Sequence, residues 1–181
     1  MQNEPTDSEL MERIQKGDQL AFSTLVKKHL PRANSIAKRT LKSPQDAEEA
    51  LQDSFNKVWI KAKDFNSTKA SFSTWFYRII VNTCIDLARR KKPTEADIEN
   101  HMESLSDQTP TAEKLAQEEE ESQKIKNAVH SLPEKQQIAI ILCYFEEMTN
   151  KEAAQIMGLN IKALEGLLVR ARKTLRGILD D

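Results

Sequence analysis

The sequence predicts an all-α protein made of two helical domains. Apolar residues recur at helical spacing along most of the 181 residues, and no segment alternates convincingly as a strand would. Charge divides the chain: residues 1–95 carry 17 Lys and Arg against 12 Asp and Glu, residues 96–123 carry 1 against 9, and residues 124–181 carry 9 against 7. Because like charge without apolar periodicity does not bury enough surface to fold, we expect a flexible acidic linker over residues 93–123, between domains at 1–92 and 124–181.

Composition narrows the class of protein. The longest apolar run, residues 138–145, has eight residues, whereas a membrane-spanning helix needs about 20, and the N-terminus is polar and acidic. We therefore expect no secretion signal and no direct membrane insertion. Cys84 and Cys143 lie inside apolar stretches, which is typical of a reduced, cytoplasmic chain.

Residues that could carry enzymatic chemistry are scarce. Four glycines form no phosphate-binding loop, and the three histidines lack metal-ligand spacing with either cysteine. We therefore expect no catalytic residue, no metal and no cofactor.

Local capping signals place the helices of the first domain. Side chains that cap a first turn, or a proline that suits one, mark five predicted helix starts at Thr6, Asp18, Pro31, Ser43 and Ser71. The first of these helices contains the capping box Thr6 to Glu9 and ends near Gly17. The fourth extends to about residue 63 and the fifth to about residue 92, so these helices form one bundle.

The fourth predicted helix is amphipathic. Its apolar stripe contains Ala47, Ala50, Leu51, Ser54, Phe55, Val58 and Ala62. Its opposite face presents Asp46, Glu49, Gln52, Asp53, Asn56 and Ile60. One exposed isoleucine is ordinary on a solvated face, but a polar face around one apolar anchor also suits docking of a partner helix. The sequence leaves both interpretations open.

The fifth predicted helix has a basic outer face. Its core face contains Phe72, Phe76, Ile79, Ile80, Thr83 and Leu87, and its other side presents Arg78, Asn82, Arg89 and Arg90. With Phe65, Trp75 or Tyr77 at its edge for stacking, this stripe suits phosphates and bases along a nucleic-acid strand. A basic helix end also complements the helix dipole, so a purely structural role remains open.

The C-terminal domain carries helix-turn-helix spacing. One helix ends at residues 131–133 and another is predicted over residues 133–147. A capping box at Thr149 then opens a short helix, which Gly158 ends and after which Asn160 caps the next helix. That last helix buries Leu164, Leu168, Ala171 and Leu175, and it points Lys162, Gly166, Val169, Arg170 and Lys173 outward. A polar and basic outer face is what insertion into the major groove requires. We expect Gly166 to permit a close approach of another backbone.

Three segments together resemble the extracytoplasmic-function (ECF) group of RNA polymerase sigma factors. Residues 46–59 (DAEEALQDSFNKVW) resemble region 2.2, residues 72–79 (FSTWFYRI) with Asn82, Asp86, Arg89 and Arg90 resemble regions 2.3 and 2.4, and residues 132–172 resemble region 4. The resemblance covers nearly the whole chain. It implies a two-domain, all-helical bacterial transcription initiation factor that binds core polymerase and directs promoter recognition and melting.

The resemblance also assigns partners and site residues. Core polymerase, through its β′ clamp helices, would bind Asp46, Glu49, Gln52, Asp53, Asn56 and Ile60, and the polymerase β flap is a further expected contact. The minus-ten promoter element would bind Phe65, Asn66, Lys69, Trp75, Tyr77, Arg78, Asn82, Arg89 and Arg90, with an unpaired base received by residues 65–71. The minus-thirty-five element would bind Asn160, Lys162, Ala163, Glu165, Gly166, Val169, Arg170, Arg172 and Lys173. An anti-sigma factor is a further expected partner.

One departure from the family pattern and two alternatives remain. Where the family often has Thr-Val-Lys-Ser-Arg-Leu, this chain has ALEGLL at residues 163–168, so two frequent cations of the recognition helix are absent. A helix-turn-helix regulator that acts without polymerase would bind duplex DNA alone. A helical module that only sequesters a partner would bind no DNA.

Overall fold

A computed structural model describes residues 4–91 and 113–180 of the chain. For residues 113–119 it describes the backbone only. These residues form helices and no strand, as the sequence predicts. The elements are α1 (Asp7–Ile14), α2 (Gln19–Thr40), α3 (Pro44–Ile60), a 3-10 turn (Ala62–Asp64), α4 (Phe72–Arg90), α5 (Glu113–Ser131), α6 (Glu134–Ile140), a π-helical turn (Ile141–Phe145), α7 (Asn150–Met157) and α8 (Ile161–Leu179). The predicted linker lies largely outside the described residues, and its last part forms the start of α5.

Most predicted helix starts are confirmed by their caps. The Thr6 hydroxyl accepts from the amide of Glu9, and the carboxylate of Glu9 accepts from the Thr6 amide at 2.7 Å. Asp18, Ser43 and Ser71 likewise accept from backbone amides in the first turns of α2, α3 and α4. Gly17 has a φ of +88°, which suits the turn between α1 and α2.

The predicted helix start at Pro31 is wrong. Helix α2 is continuous from Gln19 to Thr40 and contains Pro31 in its interior. A proline removes one hydrogen bond from a helix. Here Leu25 before it and Ala33 and Ile36 after it are all buried, so packing of one apolar face carries the helix through the proline.

An aromatic cluster fills the centre of the N-terminal bundle, formed by α1 to α4. Phe72 and Phe76 stack with their ring centroids 5.5 Å apart, and Phe55 lies 4.9 Å from Phe76. The predicted apolar stripes of α3 and α4 are confirmed: most of their members are buried, while Phe55 and Ile79 are partly buried against the same core. This core fixes the loop between α3 and α4 and the direction of α4.

The C-terminal bundle, formed by α5 to α8, departs from prediction at one point. The helix expected over residues 133–147 is α-helical only to Ile140 and then widens into the π-helical turn, where the Glu146 amide donates to the Ile141 carbonyl at 3.0 Å. Glu147 follows with a φ of +53°. The buried residues Ile141 and Leu142 keep this turn in the core, so the chain bends sharply ahead of α7.

The two bundles are in contact. Helix α4 packs against α7, and α2 packs against the π-helical turn. The Gln137 amide donates to the carbonyls of Arg39 and Thr40 at 3.3 and 3.2 Å, at the end of α2. The buried carboxylate of Glu146 accepts a hydrogen bond from the Ser35 hydroxyl and lies 3.6 Å from the Arg32 guanidinium. Polar groups therefore contribute much of the contact between the bundles.

Candidate protein and nucleic-acid interfaces

The outer face of α3 is acidic around one apolar residue. The Ile60 side chain is 68% exposed, as the sequence predicts. Lys91, which follows α4, places its ammonium group 2.6 Å from the Asp46 carboxylate and 2.9 Å from that of Glu49. Asp53 pairs with Lys57 one turn later at 2.8 Å.

The rest of this face stays open. Gln52 and Asn56 are exposed. The groove beside them is lined by Glu49, Gln52, Asp53, Asn56 and Arg90. Arg90, which the sequence assigns to the minus-ten surface, therefore borders the α3 face as well.

The segment between the 3-10 turn and α4 forms a small polar pocket. Its volume is about 350 Å³, and its walls include Gln15, Lys63, Asn66, Ser67 and Lys69. The Asn66 side chain accepts from the amide and the hydroxyl of Thr68 and so holds the turn. The Gln15 amide donates to the Phe65 carbonyl at 3.3 Å, which ties α1 to the pocket.

Two aromatic residues predicted for stacking on bases are buried. Phe65 is 8% exposed and its ring lies 5.9 Å from that of Phe72. Tyr77 is 5% exposed, and its hydroxyl lies 3.1 Å from His29 Nδ1. Burial raises the pKa of Tyr77 to about 12. The expectation that these two side chains offer an exposed stacking edge is therefore wrong. Tyr77 is buried because α4 is covered by α2, α3 and α7, and Phe65 is buried because its ring packs against Phe72 and Trp75.

Trp75 is the aromatic residue of the predicted minus-ten set that keeps an accessible part. It is partly buried, with its ring 5.3 Å from Phe65 and 6.0 Å from Phe72. Trp75 lies in the first turn of α4, at the edge of the aromatic core that is next to the 65–71 loop.

Two basic residues of α4 contact the C-terminal bundle. Arg78 donates to the carbonyls of Gln155 and Ile156, at the end of α7. Arg89 forms a two-point ion pair with Glu134, at 2.8 and 3.0 Å. Asn82 and Arg90 are exposed. The predicted row of polar and basic residues is therefore present, but two of its cations are engaged within the chain.

The helix-turn-helix is formed as the sequence predicts. Thr149 and Glu152 cap α7 reciprocally, and Gly158 ends it with a φ of +67°. The Asn160 side chain accepts from the Ala163 amide at 2.8 Å and caps α8. The turn between α7 and α8 is thus fixed by one glycine and one asparagine.

Helix α8 presents a polar outer face. Leu164, Leu168 and Ala171 are buried, whereas Val169 is 57% exposed. Its exposed charged residues are Lys162, Glu165, Arg170, Arg172, Lys173 and Arg176, and none of them forms an ion pair within the described parts of the chain.

The reason expected for Gly166 is wrong. A Cβ atom at this position would meet the guanidinium of Arg170 at 3.4 Å, and no backbone lies within 4 Å. That distance is an ordinary van der Waals contact with the end of a flexible side chain, so nothing in the structure explains the glycine at this position.

Sequence reasoning missed the residues that join the bundles. Glu134, Gln137 and Glu146 all contact the N-terminal bundle through side chains. In the sequence Glu134 looks like an acidic first turn of a helix, and Glu146 lies at the end of an apolar run. Glu146 differs from a solvated carboxylate only in being buried in the folded chain.

The described residues contain no group of three or more His, Cys, Asp and Glu side chains that could hold a metal ion. Burial raises the pKa of the Cys84 thiol to about 12, so it stays protonated at neutral pH. In the described part of the chain, no helix is long and apolar enough to cross a membrane.

Comparisons with known proteins agree with this architecture. Residues 25–94 match the family model of Sigma-70 region 2, and residues 122–175 match that of Sigma-70, region 4. The chain is 32% identical to the ECF RNA polymerase sigma-E factor of Salmonella typhimurium strain LT2 and 31% identical to that of Escherichia coli K12. In both cases the alignment covers 97% of this chain and 95% of the relative.

Solved structures show the same fold. The structure of CnrH in complex with the cytosolic domain of CnrY matches with a TM-score of 0.72 and 26% identity, over 96% of this chain and 97% of that chain. The Bartonella quintana sigma factor RpoE, solved with the anti-sigma factor NepR, matches with a TM-score of 0.67 and 24% identity, over 88% of this chain and 96% of that chain. The chain belongs to the ECF family of RNA polymerase sigma factors.

Proposed function

We propose that this sigma factor acts through three surfaces: the α3 face on core polymerase, the 65–71 loop with α4 on the minus-ten element, and α8 on the minus-thirty-five element. The domains are residues 1–92 and 124–181, with a linker over 93–123. Sigma factors are initiation factors rather than enzymes, and this chain contributes binding surfaces and no catalytic group. The observation that carries the proposal is the open outer face of α8 in the same chain as the acidic α3 face around Ile60.

The α3 face suits the β′ clamp helices of polymerase. A partner helix can bury the exposed Ile60 side chain at the end of α3. Its cations would compete with Lys57 and Lys91 for the carboxylates of Asp46, Glu49 and Asp53 along the same face. An apolar anchor inside a ring of polar contacts is the usual layout of a protein interface.

The pocket beside Asn66 suits one unpaired promoter base. A base that leaves the duplex loses its stacking partner, and a pocket with amide and hydroxyl groups compensates by binding its edge. Lys63 and Lys69 line the pocket together with Glu12 and Asp64, so the two lysines are its candidate contacts for the flanking phosphates. Trp75 offers the accessible ring nearest to this loop, and Asn82, Arg78, Arg89 and Arg90 continue along α4.

Helix α8 suits the major groove. Lys162 and Glu165 lie in its first turns, near Asn160 and Ala163 at the entrance of the recognition helix, while Arg170, Arg172 and Lys173 lie further along, near the DNA backbone. The domain that carries this helix also faces the β flap of polymerase.

The arrangement of the two bundles must open when both promoter elements are bound. The minus-ten and minus-thirty-five elements are separated by about 25 base pairs, or about 85 Å of duplex at a rise of about 3.4 Å. In this structure α4 and α7 are in direct contact through Arg78. The contacts of Arg78 and Arg89 with the C-terminal bundle are therefore replaced by DNA contacts in the initiation complex.

An anti-sigma factor is the partner that suits the contacting bundles. The Bartonella quintana sigma factor RpoE was solved in complex with the anti-sigma factor NepR, and its fold matches 88% of this chain, with parts of both bundles. We include an anti-sigma factor among the partners of this chain on that basis.

A run-off transcription assay with purified core polymerase tests the function. Addition of this chain should yield a promoter-specific transcript that core polymerase alone does not make. A helix-turn-helix regulator would bind its duplex site without polymerase and yield no transcript, and a sequestering module would bind no DNA at any salt concentration.

The docking surface is tested by the double variant Asp53→Ala with Ile60→Ala. Its affinity for core polymerase should fall at least tenfold, equivalent to about 1.4 kcal/mol, while its circular dichroism spectrum stays helical. The matched control is Glu12→Ala with Leu20→Ala, another acidic and exposed apolar pair on the same bundle. Unchanged affinity in the folded double variant would remove α3 from the interface.

A further inference from the structure

A cleft lies between the end of α2 and the start of the C-terminal bundle, outside the three surfaces described above. Its volume is about 790 Å³. The lining side chains that matter here are Lys38, Arg39, Lys42, Lys126, His130 and Phe145. None of the side chains that line the cleft within the described residues is a carboxylate, in a chain where acidic residues slightly outnumber basic ones.

The charge of this cleft comes from both bundles. Lys38, Arg39 and Lys42 stand on the α2 side, and Lys126 stands on α5 opposite them. None of the four forms an ion pair within the described residues. The helix dipole accounts for cations at the end of α2, but not for Lys126, which lies in the body of another helix.

The cleft also has an apolar wall. The Phe145 ring carries the Arg39 guanidinium 4.2 Å from its centroid, and Leu41 and Val129 lie beside it. A concave site with apolar walls and a few convergent charged groups is the usual form of a small-molecule site. Four cations within one cleft repel one another, and a multivalent anion would relieve that repulsion.

We propose that this cleft binds a small polyphosphate anion, with its phosphates on Lys38, Lys42 and Lys126. Lysine ammonium groups bind phosphates as point charges, and three of them, with the Arg39 guanidinium nearby, offset most of the negative charge of a triphosphate. When the anion carries a nucleoside, the apolar wall at Phe145 receives the base. Because the ligand contacts both bundles, it also holds α2 against α5.

This position predicts an effect on polymerase binding, which rests on the proposed function. A ligand that joins the bundles favours their contacting arrangement, whereas promoter binding on polymerase requires them to separate. Linkage then makes polyphosphate and core polymerase weaken each other's binding by the same factor. The binding test itself uses the isolated chain, so failure of the sigma-factor assignment would not affect it.

The direct test is isothermal titration calorimetry of the full chain with adenosine triphosphate, inorganic tripolyphosphate and adenosine. Both polyphosphates should bind with one site per chain and adenosine should not. A tighter complex with adenosine triphosphate assigns the site to a nucleotide, and equal affinities assign it to inorganic polyphosphate.

The triple variant Lys38→Gln, Lys42→Gln and Lys126→Gln should weaken binding at least tenfold. The matched control changes three exposed lysines outside the cleft, Lys16→Gln, Lys27→Gln and Lys61→Gln, and should change affinity less than twofold. Equal losses in the two triple variants would mean non-specific attraction and would overturn the proposal.

Nuclear magnetic resonance locates the ligand independently of affinity. His130 lines the cleft, whereas His29 is buried in the N-terminal bundle. Adenosine triphosphate should shift the imidazole signals of His130 and leave those of His29 in place.

Two competing occupants give distinct results. If single-stranded DNA displaces the polyphosphate and binds the cleft more tightly than the polyphosphate does, the cleft is a nucleic-acid site. If polyphosphate binds only after the acidic residues at 95, 97, 99, 103 and 107 are made neutral, the chain's own carboxylates occupy the cleft. Either result would overturn the proposal.

Discussion

The two DNA-binding regions of this sigma factor differ in how their cations are engaged. On α4, Arg78 and Arg89 are bonded to the C-terminal bundle. On α8, Arg170 and Lys173 are exposed and form no ion pair within the described residues. The surface proposed to bind melted DNA thus has two of its cations bonded within the chain, whereas the surface proposed to bind duplex DNA has its cations free of ion pairs within the described residues.

This difference indicates an order of events. Duplex DNA can meet α8 without any change in the arrangement of the bundles. The minus-ten strand can meet Arg78 and Arg89 only after their partners in α6 and α7 have moved away. If α4 binds the minus-ten strand as proposed, we expect the C-terminal bundle and DNA to compete for Arg78 and Arg89, and the isolated chain to bind single strands weakly.

The largest expected effect tests whether the two bundles are separate cooperative units. Phe76 is completely buried and packs against the rings of His29, Phe55, Phe72 and Tyr77, so Phe76→Ala should lower the free energy of unfolding of the N-terminal bundle by about 3–5 kcal/mol. Hydrogen exchange measured by mass spectrometry should show lost protection in α2 to α4 and nearly unchanged protection in α6 to α8.

Leu164→Ala is the reciprocal variant, because Leu164 is fully buried in the C-terminal bundle. It should reduce protection in α6 to α8 by about 2–5 kcal/mol and spare α2 to α4. If either variant reduces protection equally in both bundles, the chain unfolds as one unit and the comparison drawn above does not hold.

The next effect separates two roles within the open region. Lys162 lies where a recognition helix enters the groove, so Lys162→Ala should relax preference at one minus-thirty-five base pair by about 1–3 kcal/mol. Arg170 lies further along the helix. Arg170→Ala should therefore weaken binding to all promoters equally and reduce the slope of log affinity against log salt concentration by about 1. Glu165 should act by accepting from a cytosine amino group or by excluding wrong bases.

Holoenzyme binding to a library of minus-thirty-five variants at two salt concentrations measures both effects. Thr174→Ala, an exposed change on the same helix, controls for altered helix stability. A uniform loss from Lys162→Ala, or a base-specific loss from Arg170→Ala, would mean that α8 is docked in another register.

The features that could be predicted from the sequence are those that depend on neighbouring residues. The caps at Thr149 and Asn160 and the positive φ of Gly158 are local properties of a few neighbouring residues, and the structure confirms them. The apolar stripes of α3 and α4 follow from helical spacing alone. Local signals therefore gave the helix-turn-helix and both amphipathic faces.

Features that depend on distant residues were not predictable in this way. Pro31 carries a strong helix-start signal, yet burial of residues on both sides keeps α2 continuous. Tyr77 has an aromatic ring that could stack on a base. Its contact with His29 depends on the position of α2, which the local sequence does not show. The pairing of Arg89 with Glu134 joins residues 45 positions apart, and no local pattern marks it.

A smaller effect tests the engaged region directly. Glu134→Arg removes the partner of Arg89 and should separate the bundles there by repulsion. Because an exposed ion pair is weak, the isolated chain should bind a single-stranded minus-ten oligonucleotide only about two- to fivefold more tightly. Glu121→Arg on α5 makes the same charge change at an exposed site and serves as control. Equal gains in both variants would show a general charge effect rather than release of Arg89.

The smallest expected effect compares one histidine in each bundle. The pKa of His29 is lowered chiefly by burial, against the opposing effect of Asp7, whose carboxylate lies 2.9 Å away. The pKa of His130 is lowered by burial and by nearby Lys42. In both cases the unfolded chain binds the proton more readily than the folded chain.

Stability should therefore fall as the pH drops below about 6.5, the ordinary histidine value, towards the lower folded-state values. Denaturant unfolding from pH 7.5 to 5.5, followed by hydrogen exchange, measures this loss in each bundle. His130→Gln should flatten the pH dependence of α5 to α8 and leave that of α1 to α4 unchanged, because His29 still titrates there. His29→Gln should do the reverse. A pH dependence that either variant changes equally in both bundles would show that protonation acts through the contact between them, and the two regions would then differ in DNA access but not in stability.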